Sequence, residues 1–204
     1  YEQGLGVLKE SAEARTWYRK ASERGHSKAQ YRLGYACTTG LEPNYREAAN
    51  WLRQAADQNE AGAQFSLGVL LETGRGVNRD FAEAAQWYTK AAAKGNSWAQ
   101  MNLASLYESG RGLPKDPAAA VQWYRLAAEL GQPQAAYSLA LLTADGEGVP
   151  KDLVEAYKWI AFADAKGNAN AALFKPTLEK LLTPEQVAKG KDLAQVILGK
   201  TEGK

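Results

Sequence analysis

Six tryptophans are the side chains whose size and spacing most suggest a binding surface, because an indole ring can stack on nucleic-acid bases or sugars. Trp51, Trp87, Trp123 and Trp159 stand 36 residues apart, and Trp17 precedes the first of them by 34. A fixed period of this length indicates stacked copies of one small unit that cannot bury its apolar surface alone. Since the five share one repeat position beside small alanines, we predict that they pack in the core.

Glycine-rich turns could be mistaken for phosphate-binding loops. They are Gly74-Arg75-Gly76, Gly110-Arg111-Gly112 and Gly146-Glu147-Gly148. No strand precedes them, and the Gly-Lys-Ser/Thr of a P-loop is missing. We interpret them as structural turns that recur once per repeat, and their arginines as solvated loop charges.

The chain offers no evident nucleophile–base set. His26 is the single histidine, and no cysteine–histidine cluster could hold zinc. Cys37 takes the position of Leu71 and Tyr107 on an apolar helix face, which predicts a buried, inert thiol. A catalytic Cys37–His26 pair is disfavoured because the two belong to different repeat positions. No paired acids stand out either, so we expect no catalytic residue, metal or cofactor.

Composition narrows the class of protein. The 204 residues are 45% apolar and 24% charged, with a net charge of +2, which removes the electrostatic argument for a nucleic-acid partner. No stretch approaches the roughly 18 apolar residues of a spanning helix, and no signal-peptide pattern opens the chain. Tyr1 falls inside a repeat, which leaves a removed signal peptide open. One cysteine excludes an internal disulfide without choosing a compartment.

Each repeat predicts two helices, which we call the first and second helix. In the first helix, Ala63, Leu67 and Leu71 are spaced i, i+4 and i+8 and define one face. A small residue follows each anchoring leucine and would let the second helix approach closely. These small residues are Gly34, Gly68, Ala104 and Ala140.

The second helix carries start and stop signals. We predict side-chain N-caps at Asn44, Asp80, Asp116 and Asp152. Glu47, Glu83 and Glu155 follow three residues later and approximate a capping box, while Pro117 takes the first helical position in the remaining repeat. Left-handed closing residues are expected at Gly25, Asn59, Gly95, Gly131 and Gly167.

Both ends depart from the pattern. Eight residues corresponding to Thr73–Asp80 are absent between Glu10 and Ser11, which indicates either a deletion or a mobile loop missing from the numbering. Residues 169–204 lack the tryptophan and the glycine turn of the other repeats. The pattern at Thr183–Gln186 predicts the start of a new helix. We expect this helix to bury Val187, Leu193, Ile197 and Leu198, and residues 199–204 to fray.

These motifs together resemble the Sel-one-like repeat family, helix-turn-helix relatives of tetratricopeptide repeats. The resemblance covers residues 1–168 and implies an all-α, right-handed superhelical solenoid of antiparallel helix pairs. We predict one solenoid domain, 1–204, with a C-terminal cap of helices at 169–204. Its repeats span 1–26 (degenerate), 27–60, 61–96, 97–132 and 133–168. Members are mostly adaptors and scaffolds, and many bacterial members are exported, which favours a periplasmic or secreted location.

The resemblance also implies where a partner binds, since first-helix positions of such repeats line a concave groove. Trp98 lies outside the tryptophan register, where other repeats have Lys28, Gly62 and Gln134, and with Met101 it would form the groove's centre. The alternative is that these rings merely fill gaps between repeats. The predicted groove residues are Tyr31, Tyr35, Phe65, Val69, Glu72, Trp98, Met101, Ser105, Glu108, Tyr137 and Leu141.

Three functions follow from this sequence. We expect a non-enzymatic scaffold that binds a protein or peptide. A specific inhibitor, such as a bacterial toxin-immunity protein, is the second hypothesis. A hydrolase that uses groove carboxylates is the third, and the missing nucleophile–base set weighs against it.

Overall fold

A computed structural model describes the backbone of residues 8–39 and 42–202 and the side chains of residues 16–39 and 42–201. Every regular element in these ranges is an α-helix. The helices are α1 Leu8–Glu23, α2 Ser27–Thr38, α3 Tyr45–Asp57, α4 Ala61–Thr73, α5 Phe81–Ala92, α6 Ser97–Ser109, α7 Pro117–Glu129, α8 Pro133–Asp145, α9 Leu153–Ala165, α10 Ala169–Glu179 and α11 Pro184–Glu202. They divide into two compact units, Tyr1–Asn96 and Ser97–Lys204.

The first unit contains the helix pairs α2/α3 and α4/α5, preceded by α1. Within each pair the small residue of the first helix lies against a large side chain of the second. A Cβ on Gly34 would stand 2.8 Å from Leu52 Cγ, and one on Gly68 would stand 2.5 Å from the Tyr88 ring. A methyl group does not fit at either distance, so the predicted close approach of the two helices is confirmed.

The second unit contains the pairs α6/α7 and α8/α9, followed by α10 and α11, which both pack against α9. Its core combines small alanines with a few large side chains on α9, among them Tyr157, Trp159 and Phe162. The rings of Trp159 and Phe162 meet edge to face with centroids 6.0 Å apart, an arrangement that aromatic quadrupoles favour.

Side-chain caps start the second helices as predicted. Asn44, Asp80 and Asp116 each accept a hydrogen bond from the backbone amide three residues on, and Asp152 accepts from the amides two and three residues on. The capping box is wrong, however, because the backbone amide of each cap residue donates elsewhere. It donates to a carbonyl near the end of the preceding first helix, as in Asp80 N to Leu71 O at 3.0 Å and the equivalent bonds of the other three repeats. The N3 glutamates are therefore available for other partners.

Buried glutamines join each first helix to the repeat before it in the first unit. Gln64 is fully buried and its amide donates to the carbonyl of Ala56, near the end of the preceding second helix, at 3.2 Å. Gln30 makes the matching bond to the carbonyl of Ser22 at 3.1 Å. These bonds satisfy carbonyls that a helix end would leave without an intrahelical partner.

Left-handed residues close the helices where predicted. Asn59 has φ of 66°, and the equivalent glycines have φ between 80° and 93°. The second glycine of the turn motif also has a packing role. Gly76 and Gly148 press against the backbone of Tyr45 and Pro117, which begin the second helix of the preceding repeat.

The ends of the chain differ in part from expectation. Helix α1 continues without a turn through Glu10 and Ser11, so the first repeat is a single helix over the described residues. Thr183 and Gln186 exchange reciprocal bonds, which confirms the start of α11. Leu193 is 38% exposed, so its predicted burial is wrong. Gly190 and Ala194 are the buried residues of α11 instead. The helix also runs on through Gly199 to Glu202, while 203–204 lie outside the described residues.

We predict unequal costs for two glycine substitutions. Gly95→Ala forces an alanine to φ of 80° with nothing within 4 Å of its Cβ, and should cost about 1 kcal/mol of unfolding free energy. Gly76→Ala adds a clash with the Tyr45 backbone and should cost about 3 kcal/mol or more. Urea denaturation measures both values. Equal costs would contradict the docking of the turn on α3.

Candidate functional site

The eleven predicted groove residues lie on first helices and none is fully buried. In the first unit, Tyr31 and Tyr35 lie on α2, with ring centroids 6.2 Å apart. Tyr31 also covers Gly62 of the next first helix, at 2.7 Å from an ideal Cβ there, so this ring fills a gap between repeats. Burial raises the pKa of its phenol. Tyr35 is 52% exposed and offers a free aromatic surface.

The rest of the first-unit set lies on α4. The Phe65 ring packs against Tyr88 of α5 with centroids 6.0 Å apart. Val69 is half-buried, and Glu72 accepts a hydrogen bond from the Tyr88 hydroxyl at 2.7 Å. Phe65 and Glu72 therefore have structural partners inside the repeat.

In the second unit, Trp98, Met101, Ser105 and Glu108 lie on α6. They are spaced by three, four and three residues, which places them on one face of the helix. Trp98 is 53% exposed.

Helix α8 supplies Tyr137 and Leu141, which are both half-buried. Tyr137 and Met101 pack against the edge of the core, so each shows only part of its surface. The second unit thus presents Trp98 as a large exposed ring beside partly exposed apolar side chains.

A tyrosine hydroxyl brings α6, α7 and α8 together at this face. Tyr124 of α7 donates to Glu108 at 2.7 Å, and Ser105 and Ser138 lie within its hydrogen-bonding reach. Burial, followed by the Glu108 carboxylate, raises the pKa of the Tyr124 phenol. The Glu108 carboxylate is thus an acceptor within the fold.

Sequence reasoning missed a network on the second helices. A glutamate three residues after the cap accepts from the indole N–H four residues later and from an arginine of the preceding second helix. We call this set the carboxylate ladder, and each triplet a rung. Its rungs are Arg19–Glu47–Trp51, Arg53–Glu83–Trp87 and Arg125–Glu155–Trp159.

Two of the rungs lower the pKa of their carboxylates. The pKa of Glu83 is lowered, mainly by its hydrogen bond from Arg53 at 2.6 Å. For Glu155 burial is the largest influence and acts upward, but hydrogen bonds from Lys158 and Arg125 outweigh it and lower the pKa overall. These carboxylates consequently act as fixed acceptors.

A signal for the ladder exists in the sequence. Arg53 and Arg125 stand 30 residues before their glutamates, and where the arginine position holds Thr89 the glutamate position holds Ala119. Both members of the pair change together. Such matched replacement is the pattern expected of two side chains that interact.

The tryptophan and cysteine predictions are only partly right. Trp87 and Trp159 are 7% and 1% exposed, as a core position requires, and Trp51 and Trp123 are half-buried. Trp17 is 68% exposed, so its predicted core position is wrong. Cys37 is half-buried, not buried, and borders a cavity of about 160 Å³. It lies eleven residues along α2 from His26, about 16 Å, so the two cannot act as a pair.

Two negative findings apply to the described parts of the chain. No helix there is both long and apolar enough to cross a membrane. Nor do three or more histidine, cysteine, aspartate or glutamate side chains gather there as metal ligands would.

The repeated helix pairs place the chain in the class of all-α repeat proteins with a solenoid fold. The family model described as Sel1 repeat matches residues 1–26, 27–60, 61–96, 99–132 and 133–163. The chain therefore belongs to the Sel1 repeat family, whose members typically serve as protein-interaction scaffolds and are generally non-catalytic. None of the curated proteins compared with the chain matches it.

Solved structures agree with this family. A protective antigen of uropathogenic Escherichia coli is 34% identical, with a TM-score of 0.90 over 98% of this chain and 44% of its own. This chain thus spans less than half of that antigen. A Sel1 repeat protein of Oxalobacter formigenes is also 34% identical, covering 96% of this chain and 83% of its own, with a TM-score of 0.77.

The immunity protein Pa5087 of Pseudomonas aeruginosa shares the fold at 21% identity. Its TM-score is 0.52, over 93% of this chain and 72% of its own.

We predict that Glu155→Gln changes how stability depends on pH. Because the folded pKa of Glu155 is lowered, its contribution is present above the unfolded value, near 4.5, and is lost as pH falls through the folded value. The variant should lose about 1 kcal/mol at pH 7, and this loss should be smaller at about pH 3, below the unfolded value. Urea midpoints at both pH values test this, with exposed Glu129→Gln as the control. An equal loss at both pH values would contradict it.

Proposed function

We propose that the chain is a non-catalytic interaction module that binds a partner protein on its first-helix faces. The observation that carries the proposal is the exposed Trp98 on α6, beside the partly exposed Met101 on the same face. Tryptophan supplies a large rigid contact area with two rotatable bonds, and it is over-represented among residues that dominate binding energy.

The chemistry of the neighbouring polar groups supports binding over catalysis. Glu72 and Glu108 accept hydrogen bonds from tyrosines of their own repeats, and the ladder glutamates accept from tryptophan and arginine. A general acid or base needs a carboxyl that can reach a substrate proton. These carboxylates already accept hydrogen bonds from side chains of the fold, which disfavours the hydrolase hypothesis.

The first-helix face of the second unit is the best supported surface. It carries Trp98 and Met101 on α6 and Tyr137 and Leu141 on α8. The Tyr124 hydroxyl sets the position of Ser105 and Glu108 next to them. Tyr31, in contrast, already packs on Gly62, so we assign it a structural role. An inhibitor that plugs a partner's active site would be one form of such a binding protein.

We expect Trp98→Ala to weaken partner binding at least thirtyfold, the factor that corresponds to the loss of about 2 kcal/mol at a central aromatic contact. The matched control is Leu126→Ala on the second helix α7, a residue that is 44% exposed. Partners captured from a lysate of the source organism on the parent chain would be identified, and their affinities measured for all three chains. Both variants should keep the helical circular dichroism of the parent.

Unchanged affinity for Trp98→Ala, or an equal loss for both variants, would overturn the assignment to this face. A partner that instead loses affinity only when Tyr35→Ala is introduced would place binding on the first unit.

A further inference from the structure

A cavity of about 210 Å³ lies between α9, α10 and α11 in the second unit. Its apolar wall includes Ala161 and Ala165 of α9 and Leu198 of α11. Its polar wall includes Lys175 of α10, whose ammonium donates to Asp164 of α9 at 2.7 Å. The scaffold function proposed above does not use this cavity.

The cavity stands where the carboxylate ladder would have its next rung. Ala161, Lys191 and Gln195 all line it, and each lies 36 residues after a member of the rung Arg125–Glu155–Trp159. Alanine thus replaces arginine, lysine replaces glutamate, and glutamine replaces tryptophan. Two of the three positions therefore hold a smaller side chain than in the preceding rung.

The same replacements reverse the local charge. In the rung before it, Glu155 faces α7 as an acceptor for Arg125 at 2.9 Å. Here the helix α11 presents Lys191, a cation, and the side chain opposite it is the neutral Ala161. Lys175 and Lys191 against Asp164 leave one positive charge in excess on the lining. An ammonium has three donors, so Lys175 can donate to a second acceptor besides Asp164.

The volume sets the size of what can enter. An engineered apolar cavity of about 150 Å³ holds a benzene molecule, so this one has room for a group of similar size. Sites for drug-sized ligands and cofactors run to roughly 300–1,000 Å³, which is too large for this cavity. The lining of alanines and a leucine favours an apolar stem, and the two lysines favour an anionic tip.

We propose that this cavity is a binding pocket for a single carboxylate on a short apolar stem. The carboxylate takes the place of the glutamate that the ladder lacks here, with Lys191 and Lys175 as donors and the stem against Ala161 and Leu198. A small free acid and a glutamate side chain of a partner protein present the same chemistry.

Butyrate, titrated into the full ¹⁵N-labelled chain at constant ionic strength, tests the proposal by nuclear magnetic resonance. The backbone amides of Lys191 and Gln195 should show saturable shifts with a millimolar dissociation constant. Butyramide, which has the same stem without the charge, should bind at least tenfold more weakly.

Variants separate the pocket from general attraction to a lysine-rich helix. Lys191→Gln should weaken butyrate binding at least fivefold. The matched control is Lys189→Gln, which should leave binding unchanged, because this exposed lysine lies two residues away on the same helix and does not line the cavity. Ala161→Leu should abolish binding by filling the cavity. Equal shifts for butyrate and butyramide, or equal effects of the two lysine variants in chains that keep their melting temperature, would overturn the proposal.

A second titration distinguishes the sources of the carboxylate. Acetyl-glutamate amide should bind like butyrate if the pocket takes an acidic side chain of a partner. Binding of butyrate alone assigns the pocket to a free acid. No saturable binding of either probe would refute the pocket.

Discussion

The close approach of two helices at one small residue is the constraint on which each repeat depends. Gly34 and Gly68 leave no room for a methyl group beside Leu52 and Tyr88, and Ala104 and Ala140 occupy the equivalent positions fully buried. Because the helices are this close, the amide of each second-helix cap can reach a carbonyl of the first helix. The pair is thereby held by packing on one side and by a backbone hydrogen bond at its turn.

This geometry sorts the large side chains. A core rich in alanine has room for some of the aromatic rings and leaves the others at its edge or in solvent. Trp159 and Tyr157 are buried, Tyr137 is half-buried, and Trp98 and Tyr35 are mostly exposed. The exposed rings are held by rigid helices, and a preorganised surface loses less conformational entropy when it binds.

Several carboxylates of the repeats also occupy regular positions, where each accepts hydrogen bonds from neighbouring side chains. Carboxylates on the second helices join consecutive repeats through the ladder, and Glu72 and Glu108 join the two helices within a repeat. The rungs are partly exposed, and each contributes modestly to stability. Where the pattern ends, at Ala161, the charge reverses and a cavity opens.

Sequence alone determined the repeat register, the caps at Asp80 and Asp152, the left-handed Asn59 and the close approach at Gly68. Each of these depends on backbone geometry within a turn or two, or on a spacing that recurs in every repeat. Only the tertiary structure decided that Glu83 accepts a hydrogen bond from Arg53 of the preceding second helix, that Trp17 is exposed, and that a cavity borders Ala161. These features depend on which side chain from another helix covers a given position, and no local pattern specifies that neighbour.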